Sequence, residues 1–350
     1  MSSKKIKIAL VVDQDNWAFA NICRQFTPYL KDKYEFLIIP LSYLEEGVIN
    51  IFLMTQDFDI VHFFWRGLLT EIDLDQTRVR LNQLGTTLKR FKTKYINGKI
   101  MTASVYDHLF SDKSDVNFIE AYLKYINAYT TSSNKLFSIY NSLPISKFPT
   151  MTITDGVDLD RFKPRNLERF DKMSDRKIVI GWVGNSAWAE SQEDFKGVNT
   201  ILKPAISQLQ KEGYPIETYF ADRQERMIPH EEMPDYYSKI DLYICSSKME
   251  GTPNPVLESM ACGVPIISTD VGIVPDAFGK KQSKFILEER SVECLKKKII
   301  QLLDDRTQFK CLSEENLKMI KSWTWKNKAK DFDEFFTSVL ESGGVINEKN

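Results

Sequence analysis

Near its start the chain carries an apolar run over residues 6–12, interrupted only by Lys7. A polar turn over 13–16, a helical spacing of apolar positions to residue 30 and a second apolar run over 36–40 follow it. Strand, turn, helix and strand in that order predict a β-α-β unit. Runs at 59–65 and 100–105 continue the alternation. Short strands that are apolar on both faces belong to a parallel sheet covered by helices on each side. The pattern restarts at residue 177: an apolar run over 178–183 precedes a helical pattern over 198–211, and strand-like runs recur at 218–221, 242–246, 265–269 and 285–287. The predicted fold is therefore α/β, with two Rossmann-like, doubly wound domains. Between them, the polar segment 154–175 carries Gly156 and Pro164 and reads as a linker with too few apolar residues to contribute to a core. From residue 291 to about 342 the spacing is helical, with Trp323 and Trp325 near a break between two helices.

A length of 350 residues agrees with two cores. The formal net charge of −1 lacks the basic excess that phosphate neutralisation demands, so no nucleic-acid partner is expected. The five cysteines are odd in number, widely spaced and form no C-x-x-C pair, which argues for a reducing cytoplasm and against a disulfide framework or zinc site. The run 6–12 is too short for a secretory signal, and no stretch approaches the roughly 20 apolar residues of a membrane span. The cationic segment 76–99 has no acid and an apolar side formed by Val79, Leu81, Leu84, Leu88 and Phe91. It reads either as a solvated helix face or as a peripheral contact with anionic lipid at the inner face of a membrane.

The densest chemistry lies in Glu250-Gly251-Thr252-Pro253-Asn254-Pro255-Val256-Leu257-Glu258, between a strand ending at Ser246 and a strand starting at Pro265. Pro255 suits the first turn of a helix and Gly263 its stop, so the turn 251–254 lies at a helix amino end, where backbone N–H groups can cradle a phosphate. Glu250 precedes that turn and Glu258 follows it, at the sheet edge where open α/β folds bind ligands. Spacing alone also fits a simpler account, in which Glu250 caps the helix and Glu258 is solvated.

With Ser246 and Ala261-Cys262-Gly263-Val264-Pro265 included, the segment resembles the E-x7-E signature of family four, the large retaining glycosyltransferase family of the GT-B fold. Gly156-Val157-Asp158, Phe162 and Pro164 resemble that family's interdomain linker, N-G-V-D-x-x-x-F-x-P. Gly181-Trp182-Val183-Gly184 with Lys196-Gly197 resembles its diphosphate-binding region, and the stretch from Trp323 its terminal helix that crosses back to the N-terminal domain. The resemblance implies two domains facing a central cleft, at 1–155 with the terminal helix 325–342 and at 165–324. It implies transfer of a hexose from a UDP- or GDP-linked nucleotide sugar, with retention of configuration and no metal or other cofactor, to a saccharide or lipid-linked acceptor in polysaccharide assembly.

By the same resemblance His108 and Glu250 act at the transferred sugar, and Glu258 binds the ribose. Gly184, Asn185, Lys196, Gly251, Thr252, Pro253, Asn254 and Pro255 hold the donor, while Asn16 and Trp17 lie on the acceptor side. Two positions depart from the pattern. Asn185 stands where the family often has Arg, and Asp13-Gln14-Asp15-Asn16-Trp17 replaces a Gly-Gly turn. Of the other histidines, His62 reads as a core or cleft-edge residue and His230 as a surface or base-adjacent one. The competing classes are a GT-B nucleotide-sugar epimerase and a non-catalytic GT-B binding or scaffold protein. A nicotinamide dehydrogenase is disfavoured, because neither first strand leads into G-x-G-x-x-G.

Overall fold

The computed structural model describes residues 4–45, 47–106, 115–174, 176–188 and 193–343. The chain divides into two compact units: Met1–Thr154 with Trp325–Asn350, and Asp155–Thr324. Among the described residues of the first unit, the strands are β1 (Ile6–Val12), β2 (Tyr34–Pro40), β3 (Ile60–Phe63), β4 (Ile100–Val105), β5 (Ala128–Thr131) and β6 (Met151–Thr152), and its longer helices are α1 (Ala18–Phe26), α2 (Gly47–Met54), α3 (Asp75–Gln83), α4 (Leu88–Phe91), α5 (Val116–Leu123) and α6 (Asn134–Ser142). The second unit contains β7 (Ile178–Gly184), β8 (Ile216–Asp222), β9 (Leu242–Cys245), β10 (Ile266–Ser268), α7 (Lys203–Lys211), α8 (Met233–Tyr237), α9 (Asn254–Ala261), α10 (Val274–Ala277), α11 (Val292–Asp304) and α12 (Thr307–Met319). The chain then returns to the first unit in α13 (Trp325–Glu341).

Both sheets are parallel, in the orders β2-β1-β3-β4-β5-β6 and β10-β9-β7-β8. Each reverses direction beside its first strand, between β1 and β3 and between β7 and β9, which are the switch points where such sheets open a crevice. In β1 the alternating residues separate cleanly: Ala9 and Val11 join one core, Ile8, Leu10 and Val12 the other. The second of these cores is closed by α13, whose Phe332, Phe335 and Phe336 are fully buried, with Phe332 stacked on Phe26 at 4.1 Å. Each such aromatic contributes roughly 1.5–3 kcal/mol by leaving water. Asp333 on the same helix accepts hydrogen bonds from Tyr34 (2.6 Å) and Lys33 (2.7 Å).

Several expectations change. The described residues 154–174 have one short 3-10 helix, Leu167–Asp171, and are far from core-free: Val157, Phe162, Phe170 and Met173 are buried in the second unit. Scattered single hydrophobes on a non-repetitive backbone leave no periodic signal. Arg169 of this segment and Arg176 just after it pair with Asp241, whose carboxylate is buried and takes a two-pronged pair from Arg176 at 2.7 and 2.7 Å and the Val179 amide at 2.8 Å. Burial pushes Arg169 down to about 10. Asp241→Asn is expected to lower the urea unfolding stability of this unit by about 3 kcal/mol, because two guanidinium groups lose their counter-charge. A loss under about 0.5 kcal/mol, the level of a surface change, would show that the pair does not anchor the segment.

The predicted strand at 285–287 is reduced to a single bridge between Ile286 and Ser268. The helix expected over 198–211 begins with a wide π turn, Val198–Leu202, before α7. Pro204 has no amide to donate in the first turn of α7, and the wider turn absorbs the mismatch. The cationic segment 76–99 has no single apolar side. Leu81 and Phe91 are buried, Val79 and Leu84 are exposed, Lys92 pairs with Asp73, and Lys99 is bound to backbone carbonyls of Thr55 and Phe58. Among the described residues, no helix is long and apolar enough to cross a membrane.

Candidate functional site

The residues singled out in the second unit converge on the carboxyl edge of its sheet, beside the β7/β9 switch point. After β7, Asn185 is committed to the local turn, its side-chain oxygen accepting from the Ala187 amide (3.1 Å) and from Gln224 (2.8 Å). Further on, Asp194 accepts from the amides of Asn199 (2.9 Å) and Thr200 (2.8 Å) and from the Thr200 hydroxyl (3.0 Å). Burial alone would raise this carboxyl; the bonds from Thr200 and Asn199 outweigh it and hold the group below its ordinary range. The amino end of the helix at 198 is thus already occupied by a carboxylate. That of α9 is not: no side chain caps it, and Thr252 Oγ1, buried in the turn before it, has no hydrogen-bond partner among the described residues.

Lys196 and Glu250 meet here, Nζ to Oε1 at 2.6 Å, with the ammonium 5.3 Å above the ring of Trp188. The Ser247 hydroxyl donates to the same Glu250 oxygen at 2.7 Å. Both charged side chains are mostly covered, at 23% and 18% exposure. The loops that carry them are stitched together. Ser246 Oγ donates to the Lys196 carbonyl (2.8 Å), the Lys248 amide to the Phe195 carbonyl (2.7 Å), and Arg290 bridges the carbonyls of Ser246 (2.9 Å) and Asp194 (2.6 Å). Two glycines make that closeness sterically feasible. Gly197 has φ +68°, and a methyl group there would lie 2.4 Å from the Ser246 carbonyl oxygen; at Gly272, φ +48°, one would lie 2.0 Å from that of Gly251.

Glu258 lies one turn into α9 and is held from two sides. Tyr237 OH donates to Oε2 at 2.7 Å, and His230 Nε2 lies 3.5 Å from Oε1. Burial, with Glu258 alongside, drives the Tyr237 hydroxyl well above its ordinary range, so it remains a donor. Arg161 Nη1 sits 2.6 Å from His230 Nδ1. A guanidinium can only donate, so Nδ1 is the acceptor and the ring proton is assigned to Nε2, facing Glu258. His230, expected at the surface or near a base, is exposed and belongs to this network. Phe162 packs its ring against both His230 and Tyr237, with centroids at 5.5 and 6.2 Å.

The site residues of the second unit therefore gather in one region. The remaining ones lie elsewhere: Asn16 and Trp17 follow β1 in the first unit and are exposed, and His108 lies outside the described residues. His62 is a core residue, fully buried in β3. Sequence reasoning missed Arg161, Tyr237, Gly272 and Arg290; only their position beside recognised segments hinted at a role. Among the described residues no cluster of three or more His, Cys, Asp or Glu side chains is placed to hold a metal ion.

Residues 204–322 match the family described as glycosyl transferases group 1, which covers about a third of the chain. A lipopolysaccharide core biosynthesis mannosyltransferase of Rhizobium meliloti is 26% identical over 197 residues, covering 48% of this chain and 55% of its own. The chain spans between about a quarter and just over half of the length of the curated relatives it matches. Among solved structures, the sucrose-phosphate synthase of Thermosynechococcus elongatus superposes over 97% of this chain and 100% of its own with a TM-score of 0.68 at 12% identity. The Anabaena protein HepE in complex with UDP-glucose does so over 95% and 100%, with a TM-score of 0.63 at 12% identity. The chain has the GT-B glycosyltransferase fold, two Rossmann-like α/β domains, and its second unit carries the sequence pattern of the group 1 glycosyl transferases.

Proposed function

We propose that the chain is a retaining glycosyltransferase that moves a hexose, without a metal ion, from a UDP- or GDP-linked donor to a saccharide or lipid-linked acceptor in polysaccharide assembly. The observation that carries this reading is the edge at β7/β9, where, among the described residues, no side chain caps the α9 amino end and the Thr252 hydroxyl has no partner, while Lys196 pairs with Glu250 in the same loop system. That is a ready anion site beside a carboxylate, the combination a sugar diphosphate requires. The backbone of the turn 251–255, with N–H donors at Gly251, Thr252 and Asn254, and the Lys196 ammonium hold the diphosphate and stabilise the charge that develops as it leaves, the role a magnesium ion would otherwise fill. Glu258 accepts the ribose hydroxyls, and Glu250 orients hydroxyls of the transferred sugar. The departing phosphate takes the acceptor's proton on the face it leaves from, which retains configuration, and His108 stabilises the sugar. With a lipid-linked acceptor, the exposed Lys89, Arg90 and Lys94 supply positive charge for anionic headgroups.

The test is calorimetric titration of UDP, GDP, UDP-glucose and GDP-mannose into the full chain, with donor hydrolysis followed before and after EDTA. One nucleotide should bind, its sugar conjugate should turn over slowly, and EDTA should leave the rate intact. Glu258→Ala should weaken nucleotide binding by about ten- to a hundredfold, the loss of a charge-assisted hydrogen bond. Unchanged nucleotide affinity in that variant removes the ribose assignment. Binding without any turnover favours a non-catalytic GT-B protein, and a rate abolished by EDTA and restored by magnesium refutes the metal-free scheme.

A further inference from the structure

The Lys196 ammonium has a second contact besides its carboxylate partner, and it comes from a residue that the chemistry above does not use. β7 ends at Gly184, and the turn that follows is fixed by three bonds. The Trp188 amide donates to the Asn185 carbonyl (3.1 Å), the Ala187 amide to Asn185 Oδ1 (3.1 Å) and the Ser186 amide to Asp222 (3.1 Å). This turn delivers the indole of Trp188 to Lys196, whose Nζ stands 5.3 Å from the ring centroid, inside the roughly 6 Å reach of a cation–π contact. Phe195 braces the indole edge-on, with centroids 5.7 Å apart and planes at 71°, and is itself anchored by the Lys248 amide, which donates to its carbonyl at 2.7 Å. Trp188 is 46% exposed, so burial alone does not account for a large aromatic at this edge. The contact with Lys196 does.

The cations of this loop system differ in how free they are to meet an anion. Lys248 pairs with Glu193 at 2.6 Å, and Arg290 spends its guanidinium on the carbonyls of Ser246 and Asp194. Asn185 is neutral and committed to its own turn. Positive charge for a diphosphate is therefore concentrated on Lys196. An ammonium has three N–H donors. Glu250 Oε1 takes one at 2.6 Å, and the ring of Trp188 attracts the cation as well, which still leaves a donor for a phosphate oxygen. The two holds respond differently to a bound donor. A diphosphate carries more charge than one carboxylate, and sugar hydroxyls compete for Glu250, so the ion pair can be exchanged. The indole is neutral and has nothing to exchange, so its hold persists. Without the ring, a lysine released by Glu250 would regain its rotamer freedom at the moment when its position matters.

We propose that Trp188 is a positioning residue for Lys196: its ring keeps the ammonium at the donor diphosphate while Glu250 passes to the hydroxyls of the sugar. This role rests on the glycosyltransferase reading above.

The experiment is a double-mutant cycle on the full chain, with the wild type, Trp188→Leu, Trp188→Phe, Lys196→Ala and the combination of Lys196→Ala with Trp188→Leu. Each protein is measured twice, by single-turnover hydrolysis of UDP-glucose and GDP-mannose at saturating donor and by calorimetric titration of UDP and GDP. Trp188→Leu should lower the single-turnover rate about tenfold, the scale of a cation–π contact partly sheltered from water. Trp188→Phe keeps a ring and should recover most of that loss, with nucleotide affinity following the same order. In the Lys196→Ala background the change to leucine should alter rate and affinity by less than about twofold, because the ring then has no ammonium to hold. An equal loss in both backgrounds means that Trp188 touches the donor or supports the fold without Lys196, and overturns the role. A Trp188→Leu rate and affinity within about twofold of wild type overturn it too. A wild type that binds UDP or GDP but hydrolyses neither donor overturns the transfer reading, and the affinity cycle then decides the role of Trp188 by itself. Binding of neither nucleotide by the wild type overturns both.

Discussion

Lys196→Ala is expected to lower turnover of the nucleotide-sugar donor by about 10²- to 10³-fold, the usual consequence of removing one group that stabilises charge developing in a transition state. Lys196 is held by Glu250 at 2.6 Å, in the loop system that precedes α9. On the proposed function, donor binding would exchange partners: the diphosphate would take the ammonium, and hydroxyls of the sugar the carboxylate. The single variant therefore has two effects, since it also strands a largely covered Glu250. Lys196→Met combined with Glu250→Gln separates them. The double variant should regain the thermal stability lost by the single one, because no unpaired charge remains, yet stay inactive. Single-turnover rates with saturating donor decide the matter. A Lys196→Ala rate within threefold of wild type would assign the lysine to structure alone.

How much of this was legible follows from the range of each interaction. The strands Ile6–Val12 and Ile178–Gly184 are visible because consecutive apolar residues feed cores on both faces of a sheet. The short strands Ala128–Thr131 and Met151–Thr152 escape notice: the first reads Ala-Tyr-Thr-Thr and the second has two residues, and both owe their extended form to pairing with neighbours rather than to their own pattern. The segment from Glu250 to Glu258 is legible because the candidate anion-binding turn, its flanking carboxylates and its helix start all lie within nine residues of chain. The hold on Glu258 is not. Its network reaches to Tyr237, 21 positions away, and His230 in turn lies 69 positions from Arg161. Nothing at the sequence level links an arginine in a polar linker to a glutamate on a helix.

The largest pH effect on stability is expected from His62, because its environment forbids charge. The ring is fully buried in β3, with Nδ1 at 2.9 Å from Thr102 Oγ1 and Nε2 at 3.0 Å from Ser104 Oγ, and the chain of hydroxyls continues to Thr130 at 2.8 Å. Phe64 and Phe336 lie edge-on at 4.8 and 5.5 Å, the latter from α13. Burial pulls the imidazole down to about 3 from its ordinary 6.5. The unfolded chain then takes up a proton near pH 6.5 that the folded chain refuses until about pH 3. The stability His62 contributes is thus complete above about 6.5 and is lost as pH falls through that window, by at most about 1.4 kcal/mol per unit. Other groups titrate on both sides of the balance. The carboxyls of Asp73 and Asp333, held low, also lose stability in acid, whereas those of Glu71 and Asp331, raised by burial, oppose it. The comparison that isolates His62 is with His62→Asn, which keeps a donor and an acceptor for Thr102 and Ser104 but cannot ionise. Between about pH 7 and 4.5, the wild type should lose roughly 2–3 kcal/mol more than His62→Asn in urea unfolding of the first unit. Parallel losses in the two proteins would mean that water or a shifted α13 lets the folded state accommodate the imidazolium.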